Sequence, residues 1–217
     1  MIRKGISNFF YKLSITLLLI GSSGLVYAQQ DAQFTQYMFN GPFYNPAMVG
    51  RESGFRFSAL HRSQWLNYTT SAGTSGAPVT QLITAQGRLD SKNIGYGLTI
   101  VNDNIGATNN LEINLQGSYQ KKINRATLSF GGYFGMFSSS LNYAELIVVN
   151  PEPNLPFSGK ESQMALDFGA GFLLDHRNFY AGLSAKHLNQ PSFDFGDASY
   201  ANQLKTHNYL LLGYRVR

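Results

Sequence analysis

The stretch "NIGYGLTIVND", residues 93–103, alternates with a period of two: Ile94, Tyr96, Leu98 and Ile100 fall on one face, and Gly95, Gly97, Thr99, Val101 and Asp103 on the other. The same alternation returns in "NLEINLQGSYQKK" (110–122), where Leu111, Ile113, Leu115 and Tyr119 oppose Glu112, Asn114, Gln116, Ser118 and Gln120. It returns again in "NFYAGLSAKHL" (178–188), with Phe179, Ala181, Leu183 and Ala185 against Tyr180, Gly182, Ser184 and Lys186. With the weaker cases, eight strands are expected, at 53–62, 79–88, 94–103, 110–122, 125–138, 163–174, 179–188 and 206–217. In each, one face is apolar and the other carries Gly, Ser, Thr, Asn, Gln and single charges. That is the pattern of a wall with lipid on one side and a polar lumen on the other.

The links between these strands add to the reading. In order they run long (63–78), short (89–93), medium (104–109), very short (123–124), long (139–162), short (175–178) and long (189–205). Longer and shorter links alternate, as in outer-membrane barrels with short periplasmic turns and long external loops. Both termini are then expected in the periplasm. Strands survive in hydrocarbon only when every backbone N–H and C=O is paired, which demands a closed sheet. The expected fold is therefore all-β, an antiparallel transmembrane β-barrel with about 8 strands in this chain, either an unusual small barrel or an incomplete larger one, preceded by a short apolar segment.

Composition agrees. Charged residues make up 13% of the chain, while Phe (16) and Tyr (13) are abundant, a low-charge, aromatic-rich balance for a soluble domain. There is no cysteine, which removes disulfides, thiolate metal sites, a Cys nucleophile and a lipidated Cys. Arg3, Lys4 and Lys12, the apolar run "LSITLLLIGSSGLV" and Val26-Tyr27-Ala28 read as a secretory signal over residues 1–28. Without those three cations the formal net charge falls from +5 to +2. The remaining Lys and Arg are mostly scattered, so no nucleic-acid footprint is present. No apolar stretch after the signal reaches the ~20 residues of a membrane helix.

Residues 29–52 form an amino-terminal, plug-like segment expected on the periplasmic side, and 53–217 the barrel domain, expected to be truncated at its carboxy end. In "DAQFTQYMFNGPFYNPAMVG" (31–50), Phe34, Tyr37 and Met38 stand at i, i+3 and i+4, which predicts a short helix with Asp31 as its N-cap. Asn45-Pro46 then turns the chain toward the first strand. Phe34, Gln36, Tyr37, Met38, Asn45 and Pro46 are the candidate contacts, either to the lumen as a plug or to a periplasmic partner.

Other constellations read as structural. His61 and Ser63 share a strand face, but no Gly-x-Ser-x-Gly elbow accompanies them. The acids, including Asp167, are expected mostly at strand ends and in loops. "DFGD" (194–197) lacks the further ligands of a cation loop, and "NPEPNLP" (150–156) is a stiff loop or an extended contact for an exported partner. "GGYFG" and "GAGF" have no phosphate-loop context; they let the wall curve or let a plug approach it. Lys92, Lys121, Lys122, Arg125, Arg177 and Arg215 lie near the expected short turns, facing headgroups or acidic partners. No catalytic residue, metal, cofactor, nucleic acid or small-molecule substrate is expected.

The segment "QYMFNGPFYNPAMVG" (36–50), through Gln36, Tyr37, Met38, Asn45, Pro46, Ala47 and Gly50, resembles the opening of the PorP/SprF family of outer-membrane proteins. The similarity continues in order through "FSALHRSQW", "GYGLTIVNDNIGATNN", "LSFGGYFG", "LDFGAGFLL" and "YAGLSAKHLNQP", over nearly the whole chain after the signal. Met48-Val49 and Gly41-Pro42-Phe43-Tyr44 depart from the family's usual residues. The resemblance implies a non-enzymatic outer-membrane accessory of the type IX secretion and gliding machinery of Bacteroidetes, docking secretion components or an exported adhesin. A passive porin-like channel and a barrel-embedded hydrolase centred on His61 are the alternatives. Family members carry further strands after the stretch matching "YLLLGYRVR", so the chain resembles about the first two-thirds of one.

Overall fold

In a computed structural model, residues 31–66, 68–69, 76–145, 159–195 and 202–214 are described. The expected signal segment, the stretch "NPEPNLP", Asp197 and Arg215 lie outside them. The chain divides into Met1–Asp31 and Ala32–Arg217, and the second unit holds all the described strands.

Eight strands build one curled antiparallel sheet: β1 (Arg56–Ser63), β2 (Val79–Leu89), β3 (Ile94–Ile105), β4 (Thr108–Ile123), β5 (Ala126–Asn142), β6 (Lys160–His176), β7 (Phe179–Lys186) and β10 (His207–Tyr214). They pair in chain order, β1-β2-β3-β4-β5-β6-β7-β10, and a two-stranded ribbon, β8 (Ser192–Phe193) with β9 (Asn202–Gln203), sits in the link before β10. Among the described residues β1 and β10 do not pair with each other, so the sheet is an open half-barrel, consistent with an incomplete β-barrel. No described helix is long and apolar enough to cross a membrane.

The sheet is inside-out relative to a soluble protein. Along β4, Glu112, Asn114, Gln116, Ser118 and Gln120 are buried, whereas Ile113, Leu115 and Tyr119 are exposed, Leu115 by 63%. Along β6, Met164, Leu166, Phe168, Ala170, Phe172 and Leu174 share the outer face, and Asp167, Gly169 and Leu173 are buried on the inner one. Met164 to Leu174 covers about 33 Å of strand at ~3.3 Å per residue. Tilted by about 40°, that is a band of about 25 Å, the height of the apolar belt on outer-membrane barrels. Outer rings pack across strands, Phe130 on Phe172 at 5.1 Å and Phe134 on Phe168 at 5.3 Å.

The expected strands all form, and three departures have a common cause. β3 and β4 run on to Ile105 and Thr108, leaving only Gly106 and Ala107 between them, so the medium link at 104–109 is a tight turn. The alternation of longer with shorter links therefore fails at that position. Gly106 sits at φ +57°, which a residue without Cβ adopts freely. β5 and β6 likewise extend to Asn142 and from Lys160. Apart from Ile105 and Leu141 these extensions are polar: Asn109 donates to Asn102 at 3.0 Å and Ser140 to Ser162 at 2.9 Å. A strand that leaves the lipid has no apolar face to give a period of two.

Candidate functional site: the segment lodged on the inner face

Residues 32–51 lie against the polar face of the sheet. The helix expected from Phe34, Tyr37 and Met38 does not form. Tyr37–Phe39 make a single 3-10 turn, and the helical turn proper is α1 (Gly41–Tyr44), with Pro42 near its start, where no amide hydrogen is needed. A second 3-10 turn, Pro46–Met48, follows with Asn45 as N-cap, its side chain accepting from the Ala47 amide at 2.9 Å.

The six candidate residues separate into two groups. Phe34, Asn45 and Pro46 are buried, whereas Gln36, Tyr37 and Met38 are exposed together with Phe39, which is 69% open. Phe34 stacks edge-on against Phe43 at 4.9 Å, and Phe43 against Tyr44 at 4.9 Å. This aromatic knot packs on Leu82 and Val101, with Leu60 of β1 on one flank and Tyr209 and Leu211 of β10 on the other. Both open edges of the sheet thus rest on the same cluster.

Downstream, the backbone of the segment is bound by side chains of the wall. Gln116 donates to the Pro42 carbonyl at 2.9 Å, Ser184 to that of Tyr44 at 2.6 Å and Ser118 to that of Val49 at 2.6 Å. Gln120 donates to the Gly50 carbonyl at 2.7 Å, and the Gly50 amide donates to Gln86 at 3.1 Å. Asn45 reaches the other way, its amide donating to the carbonyls of Phe172 at 3.0 Å and Leu183 at 3.3 Å. The fit needs glycine on the wall. A Cβ on Gly131 would lie 2.4 Å from the Ala47 nitrogen, and one on Gly95 would lie 2.3 Å from the Val49 oxygen. Replacing Asn45 with Ala removes the cap and the side-chain donor to two wall carbonyls; urea unfolding in detergent is expected to show a loss of about 1–3 kcal/mol.

Two buried charge clusters sit beside the segment. Lys186 Nζ lies 3.0 Å from Glu112 Oε1 and 4.0 Å from the centre of the Phe43 ring, while Asn114 donates to the same carboxylate. Asp167 Oδ2 accepts from Tyr133 at 2.9 Å and lies 2.8 Å from His187 Nδ1; Asp167 and His187 are both fully buried. Asp167 is therefore not a strand-end acid; it stands in the middle of β6. Lys186 and His187 are adjacent yet both buried on the inner side, because His187 leaves β7 at φ +55° and so breaks the alternation. Spacing gave no hint of either cluster, since Glu112 and Lys186 meet across 74 residues of chain.

At the short-turn end Arg51 pairs with Asp175 at 2.5 Å and stacks over Tyr180 at 4.4 Å. Beyond the wall at the opposite end, Tyr143 donates to Glu161 at 2.8 Å. Burial, and then the Glu161 carboxylate, push its phenol above the ordinary range, so it stays a donor there. His61 and Ser63 do meet at 3.0 Å, but both are exposed on the outer face of β1, and among the described residues no carboxylate bonds to His61.

An apolar outer wall of lipid-belt height, a polar inner face and a segment lodged along it define a membrane protein of β-barrel type. The family model described as "Type IX secretion system membrane protein PorP/SprF" matches residues 26–217, and the chain belongs to that family. No curated protein and no solved structure matches the chain significantly.

Proposed function

We propose that this protein is a non-enzymatic outer-membrane accessory of the type IX secretion and gliding system, which docks a secretion component or an exported adhesin. In this reading the short turns at 90–93, 124–125 and 177–178 face the periplasm and the long links face outward. Residues 32–51 act as an internal plug rather than as a free arm. The observation that carries the reading is the occupied inner face: Gln86, Gln116, Ser118, Gln120 and Ser184, which would line a pore, instead bind the segment's backbone. That favours docking over passive conduction. The exposed turn Tyr37–Phe39, with Tyr37 edge-on to Tyr44 at 6.3 Å and Met38 and Phe39 open to the outside, is the surface offered to a partner.

The test is affinity capture from native outer membranes with the wild-type chain and with Tyr37, Met38 and Phe39 all changed to Ala. Recovery of a type IX component or a surface adhesin by the wild type, reduced about tenfold or more in the variant, is expected, since exposed aromatic anchors dominate such contacts. Recovery of neither, or equal recovery by both chains, contradicts the reading.

A further inference from the structure

The short-turn rim carries an unbalanced charge. Its acids are already engaged: Asp90 by Arg88, Asp175 by Arg51 and Glu52 by Arg56. Lys92, Lys121, Lys122, Arg125 and Arg177 are exposed, and among the described residues none of the five has an ion-pair partner. The turns bring them together: Lys92 lies in the β2–β3 turn, Lys121 and Lys122 precede the β4–β5 turn that holds Arg125, and Arg177 lies in the β6–β7 turn. The opposite rim is different, with Asp103, Glu145, Glu161 and Asp194 among its acids.

We propose that this rim binds the phosphate groups of anionic phospholipids in the leaflet it faces. Three observations favour lipid over an acidic protein. Lys121 stands on the outer-face register at the end of β4, Lys122 beside it on the register of Gln120, and Lys92, Arg125 and Arg177 lie in the turns that bound the lipid-facing band. Exposed Tyr96, Tyr119 and Phe130 stand directly above them on the outer face, as an interfacial aromatic girdle does. Lys121 is the next outward residue after Tyr119, about 7 Å further along the strand, so its methylene stem lies along the wall and its ammonium meets the headgroup layer. Clustered cations beside a bilayer attract anionic lipid in a salt-sensitive way.

The inference rests on membrane embedding, which is scored separately by heat-modifiable migration of the folded protein. The experiment is native mass spectrometry of the full mature chain in neutral detergent, with equal phosphatidylglycerol and phosphatidylcholine as probes. The wild type is expected to retain phosphatidylglycerol about tenfold over phosphatidylcholine. Lys121→Gln, Lys122→Gln and Arg125→Gln together should remove that preference, while Lys160→Gln with Lys205→Gln, at the other rim, should leave it intact. A folded wild type without preference, or a triple variant that keeps it, overturns the proposal. So does capture of an acidic periplasmic protein through the same residues without any lipid preference.

Discussion

Replacing Lys186 with Met is expected to cost about 3–5 kcal/mol of folding free energy, measured by urea unfolding in detergent or vesicles. The side chain is 1% exposed and lies against Glu112, itself 6% exposed. Met fills much of the same volume and keeps contact with the Phe43 ring, so the loss is not one of packing. What remains is a carboxylate on the inner wall with, among the described residues, only the Asn114 amide bonded to it. A charge left without its partner in a dry interior is penalised far more than the pair gained by forming. The control is the double change, Lys186→Met with Glu112→Gln, which removes both charges and should recover most of the loss. If the single variant is within 1 kcal/mol of wild type, water reaches this pair and the lodged segment does not seal it.

Changing Gly131 to Leu is expected to cost about 3 kcal/mol, at the upper end for an overpacked site. The obstruction is backbone. A Cβ there would stand 2.4 Å from both the Ala47 nitrogen and the Pro46 carbonyl carbon, atoms that move only if the whole turn lifts from the wall. Gly117, on the outer face of β4, has nothing within 4 Å of the same position, so Gly117→Ala should be neutral. The comparison separates the glycines that admit the segment from those that merely occupy a strand. Near-equal stabilities would mean that the segment does not sit against Gly131 in the folded protein.

The strands were legible because lipid imposes a one-sided rule. Every second residue of "NLEINLQGSY" must be apolar, whatever the rest of the chain does. Where strands leave the lipid, at Asn104–Ile105 and Ser139–Asn142, the rule lapses and the sequence reads as loop. The lodged segment was legible as an apolar, non-strand stretch before the first strand, and Asn45-Pro46 as its turning point. Its conformation was not. The helix moved from residues 34–38 to Gly41–Tyr44 because its position is set by the aromatic contacts of Phe43 and Tyr44 with the far wall, at Leu82, Val101 and Tyr209. Lys186, Glu112, Asp167 and His187 had one signal in common: each lies on or beside the polar face of a strand. Their pairing depends on the register of strands distant in sequence, which no local pattern encodes.

Both the fold and the proposed role require an apolar face that meets lipid and a polar face covered by the chain's own segment. The absence of cysteine allows a direct measurement: single cysteines at Ile113, Leu115 and Leu166 on the outer face, and at Gln116 and Ser118 on the inner, each spin-labelled in vesicles. The prediction is high accessibility of the outer labels to oxygen in the lipid, and low accessibility of the inner labels to both oxygen and a water-soluble relaxant. Outer labels relaxed by the water-soluble reagent, or inner labels as open to it as a lumen would be, contradict this architecture.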